Sequence, residues 1–154
     1  MPDFWVRTND WAKAPAQTVQ DRVLGELTQP GAMVHIRVDA YWEKPGAYRR
    51  AFAGIADRGV ALGAARIGRL AQCPVVPFVA VLGRHPRTVT IDWGNPIGPR
   101  AIDDKASDVE TIDEALNFLE AGVARYPDQY LHPSGGDRHW DAAAARWVSA
   151  SQAT

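Results

Sequence analysis

The chain has 154 residues, 17 basic against 18 acidic side chains, and a formal net charge of -1. A hydrophobic share of 46% and a charged share of 23% are those of a globular domain, which excludes wholesale disorder and fibrous repeats. The balanced charge gives no basis for a nucleic-acid partner held by bulk electrostatics. Cys73 is the one cysteine, so no intrachain disulfide and no cysteine metal cluster is expected, and a reducing compartment follows.

Phe4-Trp5-Val6-Arg7 reads as a short strand. After Pro15, Val19, Val23, Leu24 and Leu27 fall at helical spacing and predict a helix over Ala16 to Gln29, closed by Pro30-Gly31. Met33 to Ala40 alternates, with Val34, Ile36 and Val38 on one face and His35, Arg37 and Asp39 on the other, which predicts a strand. Tyr41 to Gly59, broken by Lys44-Pro45-Gly46, reads as a long turn-rich excursion.

Val60 to Gln72 reads as a helix rich in small residues, with Gly63, Ala64, Ala65 and Gly68 allowing close backbone approach. Pro74 to Leu82 is continuously apolar, as suits a central strand of a parallel sheet buried on both faces. Arg87 to Trp93 alternates and predicts a half-covered strand, paired with it as a hairpin across Gly83 to Pro86. Ser107 and Glu110 have the spacing of a capping box. The following helix runs to about Tyr126, with Ile112, Ala115, Leu116, Leu119 and Val123 as its apolar stripe. Beyond Pro127 and the Gly135-Gly136 loop, the alanine-rich stretch from Trp140 to Val148 reads as a last helix. Strands interleaved with helices predict an α/β fold, a layered sheet flanked by helices. The longest apolar run is far short of the roughly 20 residues that cross a bilayer.

Glycine-rich nucleotide-binding motifs and a G-x-S-x-G elbow are absent from the sequence. His35, Arg37 and Asp39 on one strand face would present a base, a cation and a carboxylate to one pocket, or be an exposed strand face. His132 and His139 flank Gly135-Gly136 without recognisable ligand spacing, so no metal site is expected. Trp140 and Trp147, seven apart on the expected helix, would share a face. A clustering of Trp5, Trp11, Trp42, Trp140 and Trp147 would point to a membrane surface.

Several segments in order resemble the bacterial lipid A biosynthesis acyltransferase family, a branch of the lysophospholipid acyltransferase-like group. Arg7-Thr8-Asn9 is similar to its Arg-x-Asn element, Val38-Asp39 to a strand-end aspartate, and Phe52-Ala53-Gly54-Ile55 to its Phe-Phe-Gly-Val. Leu62 to Ala71 resembles its helix ending in Leu-Ala, and Cys73-Pro74-Val75-Val76-Pro77 its Val-Val-Pro strand. Leu116-Asn117-Phe118-Leu119-Glu120 and Tyr126-Pro127-Asp128-Gln129-Tyr130-Leu131-His132 resemble its Asn-x-x-x-Glu helix and Pro-Glu-Gln-Tyr-x-Trp-x-His ending. The likeness covers about residues 5 to 132.

The resemblance implies a single partial acyltransferase-like domain over residues 1–154, with its core at about 5–132 and a helical tail at about 139–150. It implies transfer of a fatty acyl chain from acyl carrier protein or acyl coenzyme A to a glycolipid hydroxyl, at the inner face of the cytoplasmic membrane and with no cofactor. Arg7, Asn9, Arg37 and Asp39 would line the acceptor side, Phe52 and Gly54 the acyl entrance, and Glu120 and Gln129, with His132, would brace the terminal segment. The family's catalytic His-x4-Asp lies upstream of Arg-x-Asn, where this sequence has no histidine. The resemblance therefore implies the C-terminal portion of such an enzyme, its base supplied by an upstream half or a partner chain. Within the chain, His35 with Asp39 (His-x3-Asp) and His132 with Asp137 (His-x4-Asp) are the candidate pairs. A non-catalytic lipid-binding or regulatory module and an inactive gene fragment are the alternatives.

Overall fold

The computed structural model describes residues 16–38, 47–83, 88–130, 138–141 and 146–149. The expected strand at Phe4 to Arg7, and Arg7, Asn9, Asp39, His132 and Asp137, lie outside the described residues. The chain is mixed α/β, with three helices, a short 3-10 turn and three two-stranded antiparallel sheets among those residues. It divides into two compact units, residues 1–35 and 36–154.

In the first unit, α1 spans Ala16–Leu27. The Thr28 hydroxyl donates to the Gly25 carbonyl at 2.6 Å, and Gly31 takes φ +76° just after Pro30, a conformation that favours glycine. His35 is exposed at the end of this unit.

The strand expected over Met33 to Ala40, a stretch that runs from the first unit into the second, does not form in its described part. Burial does alternate, with Val34, Ile36 and Val38 half-buried and Met33, His35 and Arg37 exposed, but no ladder among the described residues pairs with the segment. An alternating pattern sets which side is covered; a strand needs a partner as well.

The expected excursion over Tyr41 to Gly59 is instead a hairpin in its described part. β1 (Tyr48–Phe52) pairs with β2 (Ile55–Val60) in the register Tyr48↔Val60, Arg49↔Gly59, Arg50↔Arg58 and Phe52↔Ile55, shifted between Arg50 and Phe52. Its two turn residues, Ala53 and Gly54, have φ of +48° and +80°, the positive pair that closes tight two-residue hairpins. α2 (Gly63–Ala71) follows. A side chain at Gly68 would meet Val75 at 2.8 Å, whereas one at Gly63 would meet nothing within 4 Å. Close approach is thus bought at Gly68 alone of these two.

β3 (Phe78–Leu82) and β4 (Val89–Trp93) form the expected hairpin, in the register Phe78↔Trp93 to Leu82↔Val89. The Gly94 N–H donates to the Pro77 carbonyl at 2.8 Å, and Val75 pairs with Ile97 beyond it. Proline accepts but cannot donate, so the ladder is interrupted there. The central parallel placement is corrected: β3 is antiparallel to β4, its one partner among the described residues. The side-chain period of two puts Phe78, Ala80 and Leu82 with Trp93, Ile91 and Val89 on one face. On that face Leu82 is 71%, Val89 59% and Trp93 55% exposed. The continuous apolar run therefore reflects one covered and one uncovered apolar face.

α3 (Ser107–Arg125) covers the other face at Gly122, where a Cβ would lie 2.5 Å from Val79. Its apolar stripe buries Ile112, Ala115, Leu116 and Val123 against Phe52, Ala53, Val60, Ala64 and Ala65. The core therefore sits between the β1–β2 hairpin, α2 and α3. The capping box is not formed: the Asp104 carboxylate accepts the Ser107 N–H at 3.3 Å, and the Ser107 hydroxyl donates to the Asp104 carbonyl at 2.7 Å. Glu110 instead faces Arg100 at the surface, 3.7 Å away.

A 3-10 turn over Pro127–Gln129 ends the helix. The alanine-rich stretch is not helical in its described residues. β5 (Arg138–Asp141) and β6 (Arg146–Ser149) pair as a hairpin that sets Trp140 opposite Trp147 and Asp141 opposite Arg146.

Candidate functional site

Two periodicities meet where β1 lies on α3. Tyr48 and Arg50, two apart on the strand, share a face, and so do Asp113, Asn117 and Glu120 at helical spacing. The Tyr48 hydroxyl donates to the Asp113 carboxylate at 2.8 Å. The Arg50 guanidinium donates to Asp113 Oδ1 at 3.0 Å, to Asn117 Oδ1 at 3.0 Å and to Glu120 Oε2 at 3.4 Å. Glu120 then uses its second oxygen to accept the Ala53 backbone N–H at 3.1 Å. One carboxylate thereby ties the helix to a turn residue that is not glycine yet holds a positive φ.

Behind the turn, Arg58 is 1% exposed, with its guanidinium 4.9 Å from the centre of the Phe52 ring. It donates to the Tyr130 hydroxyl at 3.2 Å, and the Tyr130 ring meets Phe52 edge-on at 6.3 Å. The Phe52 face supports the buried cation electrostatically. Gln129 acts on the backbone: its Oε1 accepts the Leu82 N–H at 2.6 Å and its Nε2 donates to the Leu82 carbonyl at 3.4 Å. A small apolar groove of about 80 Å³ lies beside it, between β3 residues Val79 to Val81 and Gly122, Val123, Tyr126 and Tyr130.

Phe52, Gly54, Glu120 and Gln129 are thus gathered around the hairpin turn and the end of α3. Phe52 is in the core at 1% exposure, while Gly54 is exposed in the turn. Arg37 is exposed, and His35 belongs to the other unit. Tyr48, Arg50, Arg58 and Asp113 are absent from the sequence-based candidates. Alternation of Tyr48, Arg50 and Phe52 is the signal that would have found two of them, once arginine is allowed on a covered face.

Burial, the Asp113 hydrogen bond and the Asp113 charge together raise the Tyr48 phenol above its ordinary value, against an opposing effect of Arg50. A raised phenol favours the folded state while it is protonated. Its contribution is complete below about pH 10 and is lost as pH rises through the folded value. Melts of the wild type and Tyr48→Phe should keep a constant gap up to about pH 10 and converge above it. A gap that widens with alkalinity contradicts this assignment. Burial also pushes the Cys73 thiol up, the opposite of what an activated nucleophile needs.

No helix among the described residues is long and apolar enough to cross a membrane. Compared with family models, curated proteins and solved structures, the chain has no match.

Proposed function

We propose that this chain is an acyltransferase of the glycolipid type, which moves a fatty acyl chain from acyl carrier protein or acyl coenzyme A to a glycolipid hydroxyl at a membrane surface, on a glycerol-phosphate-acyltransferase-like fold. The observation that carries the reading is convergence. Three segments that resemble the family, at residues 52–55, 117–120 and 126–130, meet through the Glu120 to Ala53 hydrogen bond and the packing of Tyr130 on Phe52 and Arg58. Contact between segments about 65 residues or more apart in sequence supports the reading.

In this reading the general base comes from an upstream half or a partner chain, and His132 with Asp137 and His35 with Asp39 are the candidate pairs within this chain. The test is transfer of labelled acyl groups from both donors to a glycolipid mixture, beside a thermal melt. Loss of a base costs about 10²- to 10⁴-fold, so a fall of that size in His132→Ala assigns the base to that residue in place of an upstream half. The same fall in His35→Ala moves the base to that residue.

The uncovered apolar face of β3–β4 favours a second reading, a non-catalytic lipid-binding module. A cooperative melt with no transfer from either donor replaces the enzyme reading with that one. Failure to melt cooperatively marks an inactive fragment.

A further inference from the structure

A second polar site lies between α2 and the start of α3 and shares no residue with the β1–α3 cluster. It is a cleft of about 250 Å³ lined by Arg66, Arg69, Leu70, Ile102, Lys105 and Asp108. Arg69 is 4% exposed. Its Nε donates to Asp108 Oδ1 at 2.8 Å, one terminal nitrogen to Asp108 Oδ2 at 3.0 Å, and the other to the Ile102 carbonyl. A guanidinium has five N–H donors, so these bonds leave two of them, buried, without a protein acceptor among the described residues. Arg66 and Lys105 line the same cleft, are exposed, and have no side-chain hydrogen bond or ion pair among the described residues.

The lining charge is therefore two positive in excess, with the Asp108 carboxylate already spent on Arg69. Asp103 and Asp104 act on Arg69 through space but do not line the cleft. Spare guanidinium donors beside two free cations fit a compact oxyanion that accepts several charge-assisted hydrogen bonds. Leu70 and Ile102, the latter 57% exposed, add an apolar shoulder. We infer that this cleft binds a phosphate monoester, with the phosphate on Arg66, Arg69 and Lys105 and its alkyl substituent on Leu70 and Ile102. The site stands apart from the acyl-transfer reading and holds or fails without it.

Its phosphate has two sources, a soluble phosphoester or a lipid headgroup, and calorimetry with the whole chain separates them. One arm titrates inorganic phosphate and a short alkyl phosphate at ionic strength fixed with chloride; the other uses phosphatidic acid vesicles against phosphatidylcholine vesicles. Arg66→Ala/Lys105→Ala, a double variant at exposed positions, should melt like the wild type and weaken binding by about tenfold or more, as loss of two charge-assisted bonds requires. Ile102→Ser should weaken the alkyl phosphate and leave inorganic phosphate unchanged. Tighter binding of alkyl phosphate than of vesicles assigns a soluble ligand, and the reverse assigns a headgroup. No saturable binding in either arm, or binding that the double variant leaves unchanged, overturns the site.

Discussion

Arg69→Ala should be among the most destabilising single substitutions in the chain. It removes one half of an ion pair whose side chains are 4% and 9% exposed, leaving the Asp108 carboxylate covered and without its partner. Breaking a buried pair from one side costs about 3–5 kcal/mol, because the remaining charge keeps its desolvation penalty. For a chain of this length each kcal/mol moves the melting temperature by about 2–4 °C, so a fall of about 10 °C or more is expected. The hydrogen bond to Asp108 outweighs burial and holds the guanidinium protonated. The charge is therefore present throughout the measurable pH range. A double-mutant cycle gives the decisive reading: Arg69→Met with Asp108→Leu should cost much less than the sum of the two singles. Additive losses would show that the two residues act independently.

Phe52→Ala should cost about as much, roughly 3–5 kcal/mol for a large aromatic lost from a core. Phe52 is 1% exposed and touches both Arg58 and Tyr130, so the cavity would also strip a buried guanidinium of its aromatic cover. Phe52→Leu, which keeps most of the volume, should lose less. An acyl-entrance role makes a different prediction, namely a changed chain-length preference with the melting temperature held. Measuring melt and chain-length preference on the same two variants tells the roles apart. A normal melt for Phe52→Ala would remove this residue from the core account.

The elements most legible in the sequence are those with an apolar stripe facing a covered side. α3 shows its stripe at 112, 115, 116, 119 and 123, and β3–β4 declares itself through the glycine between two apolar runs. The β1–β2 hairpin was concealed because its inward positions include Arg50 and Arg58, which an apolar template scores as surface. The end of the chain misleads in the opposite way, as four alanines between Asp141 and Arg146 suggest a helix while the flanking tryptophans pair across a ladder. β3 shows a third limit, since continuous apolarity is the same string whether the second face is covered or bare. At the site, the pairing of residue 53 with residue 120 has no local signal. The Arg69–Asp108 pair, 39 residues apart, has none either.

The side-chain amide of Gln129 occupies both hydrogen-bonding groups of Leu82, the last residue of β3. Those are groups through which a foreign strand would extend the sheet. The amide serves as a borrowed rung that ends the ladder, so recruitment of another strand at this point must first peel the 3-10 turn from its seat. Intermolecular strand addition there is gated by a local opening of the chain and carries that opening's energy in its rate. With bulky apolar side chains exposed on the adjoining face, Gln129 closes the Leu82 end of an edge that would otherwise favour strand addition.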